Sequence, residues 1–171
     1  DRVYAVAMST RSNQLAVGGR EKAVSLYQLY PSSRSEGGDW RINCLWTSTS
    51  EDFIYTVVLS TFYCVYGGPE MVACVLDART GLRLWSVPCS GTIWSLSMLE
   101  GEGSVAPKVV IGGDFDDVSV VNLTSRRVQL RLLQRESARS VVITPTSVGY
   151  ASGAIGFCYG QAGTHFSWLE Q

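Results

Sequence analysis

A single histidine, His165, stands among 171 residues. A serine or cysteine nucleophile paired with histidine therefore has one candidate base, and it sits in QAGTHFSW with no acidic side chain beside it to orient it. That histidine reads as a loop or strand-end residue. Metal binding needs clustered ligands, and the sequence has neither His/Cys spacing nor a CxxC pair. The phosphate-cradling patterns GxxxxGK[ST] and GxGxxG are absent. No run of 18 apolar residues occurs, which excludes an ordinary transmembrane helix. The opening DRVYAVAMSTR has no basic start followed by a long apolar stretch, so a signal peptide is not expected there. Only 17% of residues are charged and the formal net charge is -1, which argues against a surface built for nucleic acid.

Five cysteines, an odd number, are present: Cys44, Cys64, Cys74, Cys89 and Cys158. Cys64 and Cys74 lie in apolar runs, where a free thiol behaves as a small buried hydrophobe. Reduced cysteines point to a cytoplasmic protein, with the nucleus as the alternative compartment. A Cys64–Cys74 bridge across neighbouring strands stays open at this stage. DFDD (Asp114, Asp116, Asp117) reads as a solvated acidic turn, since it lacks the further oxygen ligands of a calcium loop.

What the chain does have is repetition. The openings VYAVAMS, IYTVVLS, IWSLSML and ARSVVIT begin at Val3, Ile54, Ile93 and Ala138. Each is followed by a run ending in glycine: QLAVGG to Gly19, FYCVYGG to Gly68, KVVIGG to Gly113 and VGYASG to Gly153. A period of about 40 to 50 residues, built from short strands, is the signature of β-propeller blades. The openings are apolar without alternation, as expected of strands covered on both faces. No stretch keeps a helical period, so the expected fold is all-β. It would have about four antiparallel, four-stranded blades at 1–49, 50–90, 91–135 and 136–171, with a weak last strand near Phe166–Leu169. Val6, Val57, Leu96 and Val141 hold matching places in the openings and are expected to be buried near the ring axis.

In the second unit VLDARTGLRLW, from Val75 to Trp85, resembles the third strand, aspartate, turn and fourth strand of a WD-repeat blade. VNLTSRR keeps the same place in the third unit, with Asn122 for the aspartate. The resemblance covers nearly the whole chain, although the Trp-Asp and Gly-His dipeptides are missing and no Asp–His–Ser–Trp network carries over. It implies a segment of a larger propeller ring. The same LDARTGLRLW also resembles a quinoprotein-type propeller repeat, in the second unit only.

The resemblance implies a non-catalytic protein–protein interaction scaffold within a multi-protein complex. It would be no enzyme, would need no cofactor, and its partners would be other proteins rather than a membrane or nucleic acid. The alternative is a quinoprotein-like propeller segment of an enzyme or assembly factor. The second position of each opening holds Tyr4, Tyr55, Trp94 and Arg139. In WD-repeat proteins this place tends to face the upper entrance of the ring, and Tyr, Trp and Arg are the types enriched at interface hot spots. Padding between blades accounts for the three aromatics equally well. Arg20, Lys22, Asp114 and Phe115, from loops on the same rim, are expected to frame the site. A basic cluster, Arg126, Arg127, Arg131, Arg135 and Arg139, reads as a solvated outer strand, because no aromatics interleave it for base stacking.

Overall fold

The computed structural model describes residues 2–9, 11–31, 40–101, 105–133, 137–145, 147–152 and 155–160. Four antiparallel sheets follow one another along the chain. The first contains β1 (Val3–Ser9), β2 (Gln14–Gly19), β3 (Ala23–Pro31) and β4 (Trp40–Thr49), paired in chain order. The second contains β5 (Thr56–Leu59), β6 (Tyr63–Gly67), β7 (Val72–Asp77) and β8 (Arg83–Pro88). The third contains β9 (Ile93–Leu99), β10 (Lys108–Gly113), β11 (Asp117–Asn122) and β12 (Arg127–Leu133). The fourth shows β13 (Ser140–Ile143), β14 (Ser147–Ser152) and β15 (Ile155–Gly160). The strand expected near Phe166–Leu169 lies outside the described residues, as does His165.

The four first strands β1, β5, β9 and β13 lie side by side, each beside the next. Three apolar cores alternate with the four sheets. Val24, Leu26, Ile54, Val57 and Leu76 fill the first seam; Val65, Val75, Ile93, Ile111 and Val121 fill the second. Val110, Val118, Val120 and Val141 fill the third. One hydrogen bond recurs at every seam. The N–H of Ile54, Ile93 and Ala138 each donates at 3.0 Å to the carbonyl of Gly19, Gly68 and Gly113 of the preceding blade.

The paired glycines explain why blades approach so closely. A Cβ built on Gly18 would lie 2.6 Å from Ile54 Cγ2, and one on Gly67 would lie 2.8 Å from Ile93 Cγ2. The second glycine of each pair, Gly19, Gly68 or Gly113, packs instead on a backbone carbonyl of its own blade's first strand or the residues leading into it. Hydroxyls add to the seams. Thr56 Oγ1 accepts the Leu96 N–H, while Ser95 Oγ and Ser97 Oγ accept those of Val141 and Ile143, all at 3.1 Å.

The turn in VLDARTGLRLW is built as its residues require. Asp77 Oδ1 accepts the N–H groups of Arg79 and Thr80, both at 2.9 Å, and Gly81 takes φ 73°. Asn122 Oδ1 does the same for Thr124 and Ser125, at 3.0 and 2.8 Å. Asparagine therefore substitutes for aspartate here because one side-chain oxygen suffices.

Of the three matching valines and the leucine, Val57, Leu96 and Val141 are buried as expected, but Val6 is 62% exposed. No described sheet lies on its side of the first blade. The arginine cluster is dispersed: Arg131 pairs with Asp117 at 3.7 Å, Arg139 faces the opposite rim from Arg126, and Arg135 lies outside the described residues.

Cys44, Cys64, Cys74 and Cys89 are all free thiols, which closes the question of a Cys64–Cys74 bridge. Burial pushes the Cys64 thiol up to about 12 and Cys89 to about 11, and raises Cys74, from an ordinary 9.0. A maleimide at pH 8 should therefore label exposed Cys44 in the native chain and leave Cys64 and Cys74 until unfolding. Site-resolved mass spectrometry checks this, and equal labelling rates would refute it. Above pH 9 the unfolded chain loses protons that the native thiols keep. Stability should thus be unaffected by these groups below pH 9 and decline as pH rises from there towards 12.

Candidate functional site

In the first and third blades the second position of the opening is lifted out of its ladder by a β-bulge. In the first sheet the register shifts between Val3 and Ala5, and in the third Gly113 pairs Ile93 while Gly112 pairs Ser95. Tyr4 and Trp94 are the skipped residues. Tyr55 and Arg139 stand one residue before β5 and β13, their N–H groups still bonded to Gly67 and Ala151 carbonyls at 3.0 and 2.9 Å. A bulge re-aims a side chain away from the sheet face. Two bulged residues and two that stand at strand starts thus reach the same rim from four blades.

They form a continuous row. Tyr4 meets Tyr55 edge to face, with centroids 5.8 Å apart, and Tyr55 lies parallel to Trp94 at 4.9 Å and 5°. The guanidinium carbon of Arg139 lies 4.6 Å from the Trp94 ring. At the other end Tyr4 also meets Phe53 at 6.4 Å, and Lys22 Nζ lies 5.6 Å from the Phe53 ring. Each ring pair contributes about 0.5–1.5 kcal/mol beyond its buried area, and each exposed cation–ring contact about 0.5–1 kcal/mol.

Both terminal cations are tethered to acids. Arg139 Nη2 is 3.4 Å from Asp114 Oδ1, and Lys22 Nζ is 3.9 Å from Asp52 Oδ1. Lys22 also donates to the Glu51 carbonyl at 3.0 Å, and holds φ 56° in the tight turn between β2 and β3. A hydrogen bond from Ser137, opposed by partial desolvation and helped by Trp94 and Arg139, holds the Asp114 carboxyl below its ordinary value. The Trp94 indole N–H lies towards that carboxyl, yet it is buried with no acceptor in hydrogen-bond geometry.

Of the residues expected to frame this rim, Lys22 and Asp114 do so. Arg20 is exposed on the same turn as Lys22, its backbone N–H bonded to the Arg2 carbonyl at 2.9 Å. Phe115 is a correction. It is buried in the seam between the second and third sheets with Ile93 and Ile111, because its ring closes over Gly113. Phe53 and Asp52 were missed. Their signal was available in EDFIYTVV, where the residues just before an opening lead into the same rim.

The opposite rim carries a separate feature. Arg11 of the first blade reaches Glu100 of the third at 3.4 Å, and Glu100 Oε1 accepts the Thr61 N–H of the second at 3.1 Å. Beside them a cleft of about 360 Å³ is lined by Phe62, Val105 and Pro107. Among the described residues no three metal-ligating side chains cluster, and no helix is long and apolar enough to cross a membrane.

No family model matches the sequence, and no curated protein matches it. Solved structures do. A structure of U3-55K aligns with a TM-score of 0.79 at 9% identity, over 98% of this chain and 51% of that one. The RRP9 WD40 repeats align with a TM-score of 0.77 at 8% identity, over 98% and 51%. The chain therefore spans about half the length of these neighbours. At such identity the likeness establishes the fold, which is that of a WD-repeat propeller.

Proposed function

We propose that this WD-repeat-type propeller segment is a non-catalytic scaffold that holds another protein on the rim bearing Tyr4, Tyr55, Trp94 and Arg139. One observation carries the reading: equivalent positions in four successive blades bring these side chains into one row that includes partly exposed aromatic and arginine surface. Repeated sheets bury their apolar residues in the seams, so a rim of this composition is where a partner finds hot-spot chemistry. A role as a subunit of a cytoplasmic complex, with the nucleus as the alternative, accords with four free thiols among the described cysteines. The competing reading, a quinoprotein-like segment of an enzyme, rests on VLDARTGLRLW alone, and no second blade repeats it.

Tyr55→Ala with Trp94→Ala should weaken partner capture by roughly 2–4 kcal/mol. The measurement is co-purification by the wild-type and doubly substituted chains, alongside thermal melts. Capture that persists, or that falls together with an equal collapse in melting temperature, reduces the row to packing.

A further inference from the structure

The row is selective in what it leaves open. Tyr55 and Trp94 are parallel at 4.9 Å, so no third ring fits between them. A cationic ligand such as a methylated lysine needs a free ring face near the row's ends. Lys22 already lies over Phe53, and Arg139 already lies over Trp94. What remains unspent is donors. The Arg139 side chain is 54% exposed and touches Asp114 through a single 3.4 Å contact, while a guanidinium carries five N–H donors. The Trp94 indole N–H, beneath it, lies towards the Asp114 carboxyl without reaching it in hydrogen-bond geometry. A buried donor without a partner calls for an explanation.

Building on the scaffold reading of this rim, we infer that its occupant is a protein segment presenting a single carboxylate beside an apolar or aromatic residue. The carboxylate of a partner Asp or Glu takes the guanidinium of Arg139 in a two-pronged contact. Asp114, released from Arg139, then closes on the Trp94 indole N–H, so that every donor gains an acceptor. The neighbouring apolar residue lies on the exposed ring surface of the row. Asp114 itself argues against more strongly charged ligands. A phosphate dianion or a nucleic-acid backbone would stand against this carboxylate, and against Asp52 at the other end of the row.

The test uses the whole chain and short synthetic peptides in which one central residue, flanked by Phe and Leu, is Glu, Gln, phosphoserine or Lys. Fluorescence anisotropy measures binding, with single-stranded oligouridine as a further probe. The Glu peptide should bind roughly 10- to 100-fold more tightly than its Gln counterpart. Arg139→Gln should erase that difference with an unchanged melting temperature. Asp114→Asn should tighten Glu-peptide binding, because it removes the internal competitor, whereas a merely structural Asp114 would not act in this direction. Phosphoserine peptide or oligouridine binding better than Glu overturns the inference, as does failure of the Glu peptide to bind. Peptides that bind without regard to Glu or Gln, yet lose binding on Tyr55→Ala with Trp94→Ala, sink the carboxylate and leave the scaffold reading standing. Binding indifferent to all these substitutions sinks both.

Discussion

Ile93→Ala should destabilise the chain by about 2–5 kcal/mol, the range for removing a buried isoleucine where neighbours cannot collapse. Ile93 is fully buried, and its side chain seats on Gly67 of the preceding blade, between two sheets held apart by their own ladders. Gly67→Ala attacks the same contact from the other side. The added Cβ would stand 2.8 Å from Ile93 Cγ2 and 3.0 Å from Cβ and Cδ1, so the seam must open, at about 1–3 kcal/mol. Together the two changes should compensate, since the new methyl enters the space the isoleucine vacates. A double-mutant cycle in denaturant should return a coupling of about 0.5–3 kcal/mol in the stabilising direction. The chain already contains a related pairing in its third seam, where Gly112 faces Ala138 and Val141. Strict additivity of the two substitutions would mean that Gly67 is not the socket for Ile93.

Self-association of the 171-residue chain is the second expected result. The outer side of the first blade leaves Val3, Val6 and Met8 exposed at 60%, 62% and 52%. Counterparts of Val3 and Val6 at the inner seams are buried and those of Met8 (Leu59, Met98 and Ile143) are half-buried, because there a neighbouring sheet covers them. Each large side chain left in water forgoes about 1.5–3 kcal/mol of burial. Sedimentation velocity should show oligomers whose population rises with concentration. Val6→Lys with Met8→Lys should shift the chain towards monomer without lowering its melting temperature, since neither residue packs in a seam. A monodisperse, cooperatively melting monomer of the unsubstituted chain would contradict this account.

Much of the architecture was legible because a propeller blade is a local object. Strand, turn and strand adjoin in sequence, so the apolar runs, the glycine pairs and the Asp77 and Asn122 turns each announce a hairpin without distant information. The row on the rim was half legible. Tyr4, Tyr55, Trp94 and Arg139 share a place in the repeat, and repetition of place in sequence becomes adjacency in space once blades stack. Phe115 went the other way. In DFDD its neighbours are acidic and turn-like, but a ring two residues after a glycine folds back over that glycine's bare backbone and into the seam.

By itself, then, the sequence determined that these residues form successive antiparallel sheets of a propeller, and that the chemistry of catalysis and metal binding has few groups to draw on. The tertiary structure alone decided what the second-position side chains face. A bulge shifts the register by one residue, so that Gly112 pairs Ser95 while Gly113 pairs Ile93 and Trp94 is left out of the ladder. No composition or period encodes that. The tertiary structure also separated Val6 from Val57, Leu96 and Val141. Four equivalent places in the repeat have equal apolarity, but burial belongs to the pair of sheets on either side of a strand, and the first blade has a described neighbour on one side only.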